Sequence, residues 1–443
     1  MSDLQICQGQ KVGLYLSNQP LTLMLYFALL KLGAIVIWLN KRLTSHEVIQ
    51  QMVSIGGELI IADQGLSNNQ CRLIRLEQIK SLVDFTKTAE HPLEILTNSL
   101  QIFFTSGTTG KPKAVPLSGA NFVYSAIAVV NFLRQRGVIN QRWLLCLPLY
   151  HVGGMGIVWR SLLTGGTIHL LEKFDPIEII EIVQTGQVNL ISLVPTMLKR
   201  ILTHELFAGT LPYWQNMGGI FLGGARADRV LLEQCLDLKL PVLVTYGMTE
   251  AASQISILDL QKYPHKIPSV GQVLPHMDLQ IQDTEICIKS PALMTGYWGH
   301  SPINNYFPTG DLGYLDQDGF LYLYDRRIDL IISGGENIYP AELEAILSTH
   351  PQIGEVCVVA QPDPEWGQVP ALFYTGAGDL TLEAVQNYCL AHHLARYKLP
   401  KALYHIPRLP LTASGKCDRQ YLRKVVLGIE NQDIVSTNHS DPL

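Results

Sequence analysis

The run Thr105-Ser106-Gly107-Thr108-Thr109-Gly110-Lys111-Pro112-Lys113 packs hydroxyls, glycines and two lysines into one short loop. A polyphosphate carries several negative charges and needs such a nest of N–H, O–H and ammonium donors, with glycine letting the backbone approach closely. The loop follows Leu100-Gln101-Ile102-Phe103-Phe104, which reads as a strand. Its spacing is not that of the Walker loop, which needs four residues between its glycines and a Ser or Thr after the Lys. The chain is therefore expected to hold nucleotide phosphates without being an ordinary P-loop ATPase. An exposed polar turn is the plainer alternative, but the run is too regular and too rich in donors for a casual loop. A hydrolase is not indicated, because no Gly-x-Ser-x-Gly elbow occurs anywhere in the chain.

From Thr105 to Val115 the sequence resembles the signature of the adenylate-forming superfamily, which comprises acyl- and aryl-CoA synthetases, peptide-synthetase adenylation domains and luciferases. Further motifs follow in that family's order: Leu147-Pro148-Leu149-Tyr150-His151, Gly223-Gly224-Ala225, Tyr246-Gly247-Met248-Thr249-Glu250, Thr309-Gly310-Asp311-Leu312-Gly313, Tyr324-Asp325-Arg326-Arg327-Ile328-Asp329, Ser333 to Ile338, and Ser414-Gly415-Lys416. The likeness spans roughly residues 11 to 425.

The resemblance implies that ATP activates a carboxylic acid as an acyl-adenylate. A thiol then takes the acyl group, either that of coenzyme A or that of a carrier protein. Aligning the carboxylate with the α-phosphate and neutralising charge is most of the protein's task in such chemistry. By the same resemblance Thr105, Ser106, Gly107, Thr108, Thr109 and Lys113 hold the phosphates. Thr249 bonds the α-phosphate and Glu250 holds Mg²⁺, a hard cation that prefers oxygen ligands. Tyr246 stacks on adenine opposite Gly223, Gly224 and Ala225. Asp311 accepts from the ribose hydroxyls, since a carboxylate is a pure acceptor, and Arg326 assists there. His151 lines the acyl pocket. Lys416 enters the cleft during adenylation, and a hinge near Arg327-Ile328 lets the small domain leave before the thiol arrives.

Singly, these residues have plainer readings. Tyr246 fits a core aromatic, Asp311 a strand-end turn, Glu250 a surface helix and Lys416 a solvated loop; their order along the chain favours the site. Two positions depart from the family pattern: Ala114 stands where Gly is usual, and Ile328 occupies the hinge position. A catalytically lost relative would lack Lys416 or Glu250, and both are present.

Within the superfamily, the runs around Tyr246 to Gln254 and Asp325 to Pro340 are most like the branch that activates 2-succinylbenzoate. That acid has two carboxylates, so the one not activated must enter the pocket charged. Burying it unpaired costs several kcal/mol. Arg160 lies on the apolar segment Ile157 to Leu163, where an arginine is unusual unless paired or snorkelling. It is the candidate partner for that carboxylate, helped by Ser253 and Gln254; an Arg snorkelling to the surface or bracing a neighbouring loop is the alternative.

The elements that must position these residues are visible as an alternation. Val12 to Leu16, Ala34 to Trp38, Leu59 to Ala62, Leu144 to Leu147, Thr167 to Leu171, Leu190 to Leu193 and Val242 to Thr245 are strand candidates with helical segments between, the rhythm of a helix-covered parallel sheet. Leu21 to Leu39 is almost long and apolar enough to span a bilayer. Lys31 and Gly33 interrupt it, so it reads as a helix, capped by Asn18 with Pro20 in its first turn, and then a strand. Thr44 and Glu47 form a capping-box pattern. After about residue 270 the pattern becomes period-two, as in Leu279 to Gln282 and Glu285 to Lys289, which indicates antiparallel strands. Asp316 to Gly319 reads as a hairpin turn.

The expected fold is α/β: a large N-terminal domain over 1–325 with an added antiparallel β subdomain, a small mobile α+β domain over 326–430 carrying Lys416, and a polar tail over 431–443. The 443 residues are 47% hydrophobic and 16% charged, with a formal net charge of −5. That balance excludes disorder and gives no basic surface for nucleic acid. The eight cysteines include no CxxC pair, which fits free thiols in a reducing cytoplasm.

Overall fold

A computed structural model describes residues 6–67, 70–80, 98–106, 112–227, 229–323, 330–376, 378, 380–410, 417–428 and 435–436. Statements below concern these residues. Gly107, Thr108, Thr109, Arg326 and Lys416 lie outside them, as does the side chain of Ser106.

The chain forms two compact units. The first comprises Met1–Lys41, Ile49–Thr105 and Ala114–Tyr324; the second comprises Arg42–Val48, Ser106–Lys113 and Asp325–Leu443. In the first unit, β1 (Lys11–Tyr15), β2 (Ile35–Trp38), β3 (Leu59–Ala62), β4 (Arg72–Arg75), β5 (Leu100–Ser106) and β6 (Pro112–Ser118) make one sheet, ordered β4-β3-β1-β2-β5-β6. Its β4-β3-β1-β2-β5 pairings are parallel. β3, Leu-Ile-Ile-Ala, is buried throughout, as a strand covered on both faces must be.

The apolar stretch after Pro20 is a helix, Pro20–Lys31, followed by Gly33 with φ +72° and then β2, as expected. Asn18, however, is not its cap. The N-cap is Gln19, with no side-chain cap bond. Asn18 is buried and its amide donates to the carbonyls of Leu147 and Leu171, while Leu149 N–H donates back to its Oδ1. A short amide that can satisfy three backbone groups of other elements has more to gain there than at an exposed helix end. Thr44 and Glu47 do form their capping box.

A second sheet holds β7 (Arg142–Leu145), β8 (Thr167–Leu170), β9 (Leu190–Leu193), β10 (Gly219–Leu222), β11 (Val242–Met248), β12 (Ser253–Asp259), β13 (Gly271–Val273), β14 (Asp278–Gln282), β15 (Glu285–Lys289), β16 (Phe307–Leu315) and β17 (Phe320–Leu323). Its order is β14-β15-β16-β17-β13-β12-β11-β10-β9-β7-β8. From β8 to β11 the pairings are parallel; from β11 to β14 they are antiparallel. β7 begins two residues before the expected 144–147 strand and stops at Leu145, where the segment leading to Pro148 turns to meet Asn18.

In the second unit, β18 (Ile331–Ser333), β19 (Glu336–Ile338), β20 (Ile353–Asp363), β21 (Gly367–Gly376), β22 (Ala402–His405) and β23 (Val435–Ser436) form a sheet ordered β19-β18-β21-β22-β23, with β20 paired antiparallel to β21. The motif Ser333 to Ile338 is a tight antiparallel hairpin. Helices Pro340–Leu347, Leu382–Ala391 and Arg419–Val426 accompany the sheet. This is the α/β architecture with an antiparallel addition and an α+β C-terminal portion that the sequence implied.

Candidate active site

Three of the family motifs, Gly223-Gly224-Ala225, Tyr246 to Glu250 and Thr309 to Gly313, lie in the second sheet, the first two around β11, where its pairing changes from parallel to antiparallel. Gly223 leaves the end of β10 beside Thr245 on β11. A Cβ there would lie 2.2 Å from Thr245 Oγ1, so only glycine lets the two strand ends approach. Gly247 sits at a register shift between β11 and β12, and a Cβ on it would lie 1.9 Å from the Ser253 carbonyl oxygen. These two glycines fix the backbone carrying Gly224, Ala225, Tyr246, Thr249 and Glu250. Between β11 and β12 the chain makes a short 3₁₀ turn, Thr249–Ala251, and then enters the left-handed region at Ala252 (φ 52°) and Ser253 (φ 127°). Such non-glycine conformations cost on the order of 1–3 kcal/mol each and concentrate at functional sites.

Tyr246 is buried and its hydroxyl donates to Asp311 Oδ2 at 2.8 Å. Two residues assigned separately to adenine and ribose are thus one unit, with the phenol orienting the carboxylate. Asp311 lies on β16, and its N–H donates to Thr309 Oγ1. Glu250 is also buried; Oε1 accepts from Tyr297 O–H at 2.8 Å, and its carbonyl accepts from Met294 N–H. The next residue, Trp298, donates its N–H to the carbonyl of Ala114. Ala114 directly follows Lys113 on β6. The segment 294–298 therefore ties Glu250 to Ala114, the residue after Lys113. Asn121, in the helix Gly119–Gln135 that follows β6, holds the carbonyls of Pro291 and Leu293.

Glu250 fits Mg²⁺ on this evidence: a carboxylate supplies hard oxygen donors, and Tyr297 fixes its orientation. Among the described residues no group of three or more His, Cys, Asp or Glu could hold a metal by itself, so phosphate oxygens and water would have to complete the shell.

The surroundings of Arg160 are built differently. Arg160, in the helix Val152–Thr164, has no solvent exposure. One guanidinium nitrogen, Nη1, donates to Gln254 Oε1 at 2.9 Å, and the group lies 4.7 Å from the ring of Trp143 and 5.8 Å from that of Phe221. Its Nε and Nη2 have no hydrogen-bond partner. Burial pushes its pKa down, to about 9, which still leaves it charged at neutral pH. Gly156, one turn earlier, faces Nη1 and the Ser253 side chain, so Arg160, Ser253 and Gln254 do come together. The alternative of a surface-reaching arginine is overturned by this burial. His151 is half-buried at the N-cap of the same helix without a side-chain cap bond, its ring 4.7 Å from that of Tyr150. Thr105 at the end of β5 and Lys113 on β6 are half-buried. Sequence reasoning missed Tyr297, which holds Glu250 across 47 positions, and the ring pair Trp143 and Phe221; no local spacing signals contacts at such separations.

The comparisons agree on the class. Residues 1–298 match the AMP-binding enzyme family, and residues 342–416 match the AMP-binding enzyme C-terminal domain. The chain belongs to the AMP-binding, adenylate-forming enzymes. More particularly, it is 37% identical over 439 residues to the 2-succinylbenzoate–CoA ligase of Bacillus cytotoxicus, covering 96% of this chain and 90% of that one. It is 37% identical to the corresponding ligase of Lactococcus lactis subsp. lactis, over 93% of this chain and 90% of that one. Among solved structures it is similar to a double mutant of the o-succinylbenzoate CoA synthetase of Bacillus subtilis bound to a product analogue, with 32% identity, a TM-score of 0.85, and coverage of 96% and 90%. The same enzyme in complex with ATP and magnesium gives 31% identity, a TM-score of 0.65, and coverage of 95% and 90%.

Proposed function

We propose that the protein is an ATP-dependent acid–CoA ligase acting on 2-succinylbenzoate, which it converts to the acyl-adenylate with release of pyrophosphate and then to the CoA thioester. The observation that carries the choice of acid is Arg160. A fully buried guanidinium with two unpaired nitrogens is costly unless an anion completes it. The carboxylate that is not activated supplies that anion, with Gln254 holding one edge of the guanidinium and Ser253 beside it. Relatives that carry the ligase name at 37% identity support the same acid.

In this reading Thr105, Ser106, Gly107, Thr108, Thr109 and Lys113 bind the triphosphate, and Thr249 the α-phosphate. Tyr246 and the Gly223-Gly224-Ala225 turn enclose adenine, while Asp311 and Arg326 take the ribose. Glu250 would hold Mg²⁺, which would supply positive charge against the phosphates. His151 lines the acyl pocket. Lys416, in the C-terminal portion that we assign to 326–430, offers an ammonium to the carboxylate and α-phosphate as charge redistributes. Coenzyme A is the thiol substrate. No helix among the described residues is long and apolar enough to cross a membrane, and the cytoplasm, where ATP and CoA are available, is the proposed location.

The test is ATP–pyrophosphate exchange over a panel of aromatic and fatty acids, followed by CoA addition. Exchange with 2-succinylbenzoate and thioester formation with free CoA are expected. Exchange with an unrelated acid alone, or acyl transfer only to a carrier protein, would overturn the assignment.

A further inference from the structure

Cys357 and Cys417 are far apart in sequence and meet in the second unit. Cys357 lies on β20 with no exposure, inside a cluster with Val359, Phe373 and Leu422, and Cys417 packs against that cluster while remaining partly exposed. The two thiols are hydrogen-bonded to each other. Arg419 lies over the pair: its Nη1 donates to Cys357 Sγ at 3.3 Å and to the Val358 carbonyl at 2.8 Å, and both terminal nitrogens grip Glu344. Asp418 N–H donates to the Pro410 carbonyl, and Cys417 is the residue after Lys416 in the sequence.

We infer that Cys417 and Cys357 form an oxidisable dithiol, Cys417 being the attacked and Cys357 the resolving sulfur, and that its disulfide withdraws acid activation. The loss of activation rests on the role given above to Lys416; the chemistry of the pair does not. The thiol–thiol hydrogen bond first, and the Arg419 guanidinium also, hold the Cys417 thiol below its ordinary range, against burial, Glu344 and Asp418. The same hydrogen bond, then burial, pushes Cys357 up. Cys417 is thereby the more acidic thiol of the two and Cys357 the one that holds its proton more tightly.

With hydrogen peroxide as oxidant, the Cys417 thiolate attacks one peroxide oxygen and the O–O bond breaks. This gives the sulfenic acid and hydroxide, which takes up a proton to become water. Cys357 sulfur then attacks the Cys417 sulfur, the S–O bond breaks, and the Cys357 proton leaves with the hydroxyl as a second water. Two thiols and one peroxide become one disulfide and two waters; a dithiol reductant reverses it. Peroxide enters from the exposed side, at Cys417.

The experiment uses the full chain with one equivalent of peroxide, non-reducing peptide mapping, and pyrophosphate exchange before and after. A Cys357–Cys417 linked peptide, about 2 Da lighter than its thiol form, should form faster than exposed Cys7 is oxidised. Exchange should fall roughly 10²-fold, the scale of losing one preorganised contact, and return with dithiothreitol. Cys417→Ser should form no link and keep its exchange under peroxide. Cys357→Ala should instead accumulate a dimedone-trappable sulfenic acid at Cys417. Absence of the linked peptide, or oxidation of Cys417 no faster than Cys7, overturns the pair; a linked peptide with unchanged exchange overturns the switch. The map reads the disulfide whichever acid is activated, so its failure is distinct from a failure of the substrate assignment, which shows in the reduced enzyme as absent exchange.

Discussion

The proposed nucleotide end and the proposed acid end of the first unit solve opposite problems. At the nucleotide end the polar side chains engage one another: Tyr246 holds Asp311, and Tyr297 holds Glu250. At the acid end Arg160 holds only Gln254 and keeps two buried nitrogens without a hydrogen-bond partner. Groups already oriented by the protein lose little freedom when ATP arrives, which suits a substrate common to the whole family. A buried cation short of partners instead rewards one kind of acid and penalises those lacking the second charge, because selectivity is greatest where a missing partner leaves a buried polar group unsatisfied.

The sharpest way to break this contrast is Arg160→Leu. Removing one member of a buried charge pair costs roughly 2–5 kcal/mol, so kcat/KM for 2-succinylbenzoate should fall by about 30-fold to more than 10³-fold while ATP binding is kept. Stability should be unchanged or higher, since an apolar side chain replaces an uncompensated charge. Unfolding midpoints and kinetics measured together check both halves; lost stability with retained activity would make Arg160 a structural brace.

Next in size is Lys416→Ala. Adenylate formation should drop by about 10²–10³, while supplied acyl-adenylate plus CoA still yields thioester at close to the normal rate. Equal loss in both half-reactions would point to misfolding. Glu250→Gln keeps the size and loses the charge, and should raise the Mg²⁺ concentration needed for half-maximal exchange; an unchanged Mg²⁺ titration removes Glu250 from the metal.

The smallest effect belongs to Tyr246→Phe. Losing one neutral-to-charged hydrogen bond of the pair should cost about 1.5–3 kcal/mol at most, seen as a higher KM for ATP and a nearly constant KM for the acid. A change confined to the acid would join two ends that are here described as separate.

The residues proposed for the nucleotide were legible as a group because they sit in short local patterns. Tyr-Gly-Met-Thr-Glu carries its own glycine, and the structure gives that glycine a reason in the carbonyl of Ser253. Arg160 was legible as a charge in an apolar helix, and the structure gives it a hydrogen bond to Gln254 with Ser253 nearby. Tyr297 was not legible, because a tyrosine in a connecting segment signals nothing until the fold brings it to Glu250. Asn18 was misread for the converse reason: beside Pro20 it has the local features of a cap, and only the tertiary positions of Leu147, Leu149 and Leu171 draw it away. Strand ends drifted by a residue or two where a side chain takes over the backbone's hydrogen bonds, as at β7.

The measurement that bears most directly on the central claim is pyrophosphate exchange with 2-succinylbenzoate beside its two monocarboxylate analogues, each lacking one of the two carboxyl groups, in wild type and Arg160→Leu. Wild type should prefer the diacid to the analogue that retains only the activated carboxyl by roughly 30-fold or more, the scale of a buried charge pair, and Arg160→Leu should erase that preference. Equal exchange with the diacid and that analogue in wild type, or a preference that survives in Arg160→Leu, would contradict it.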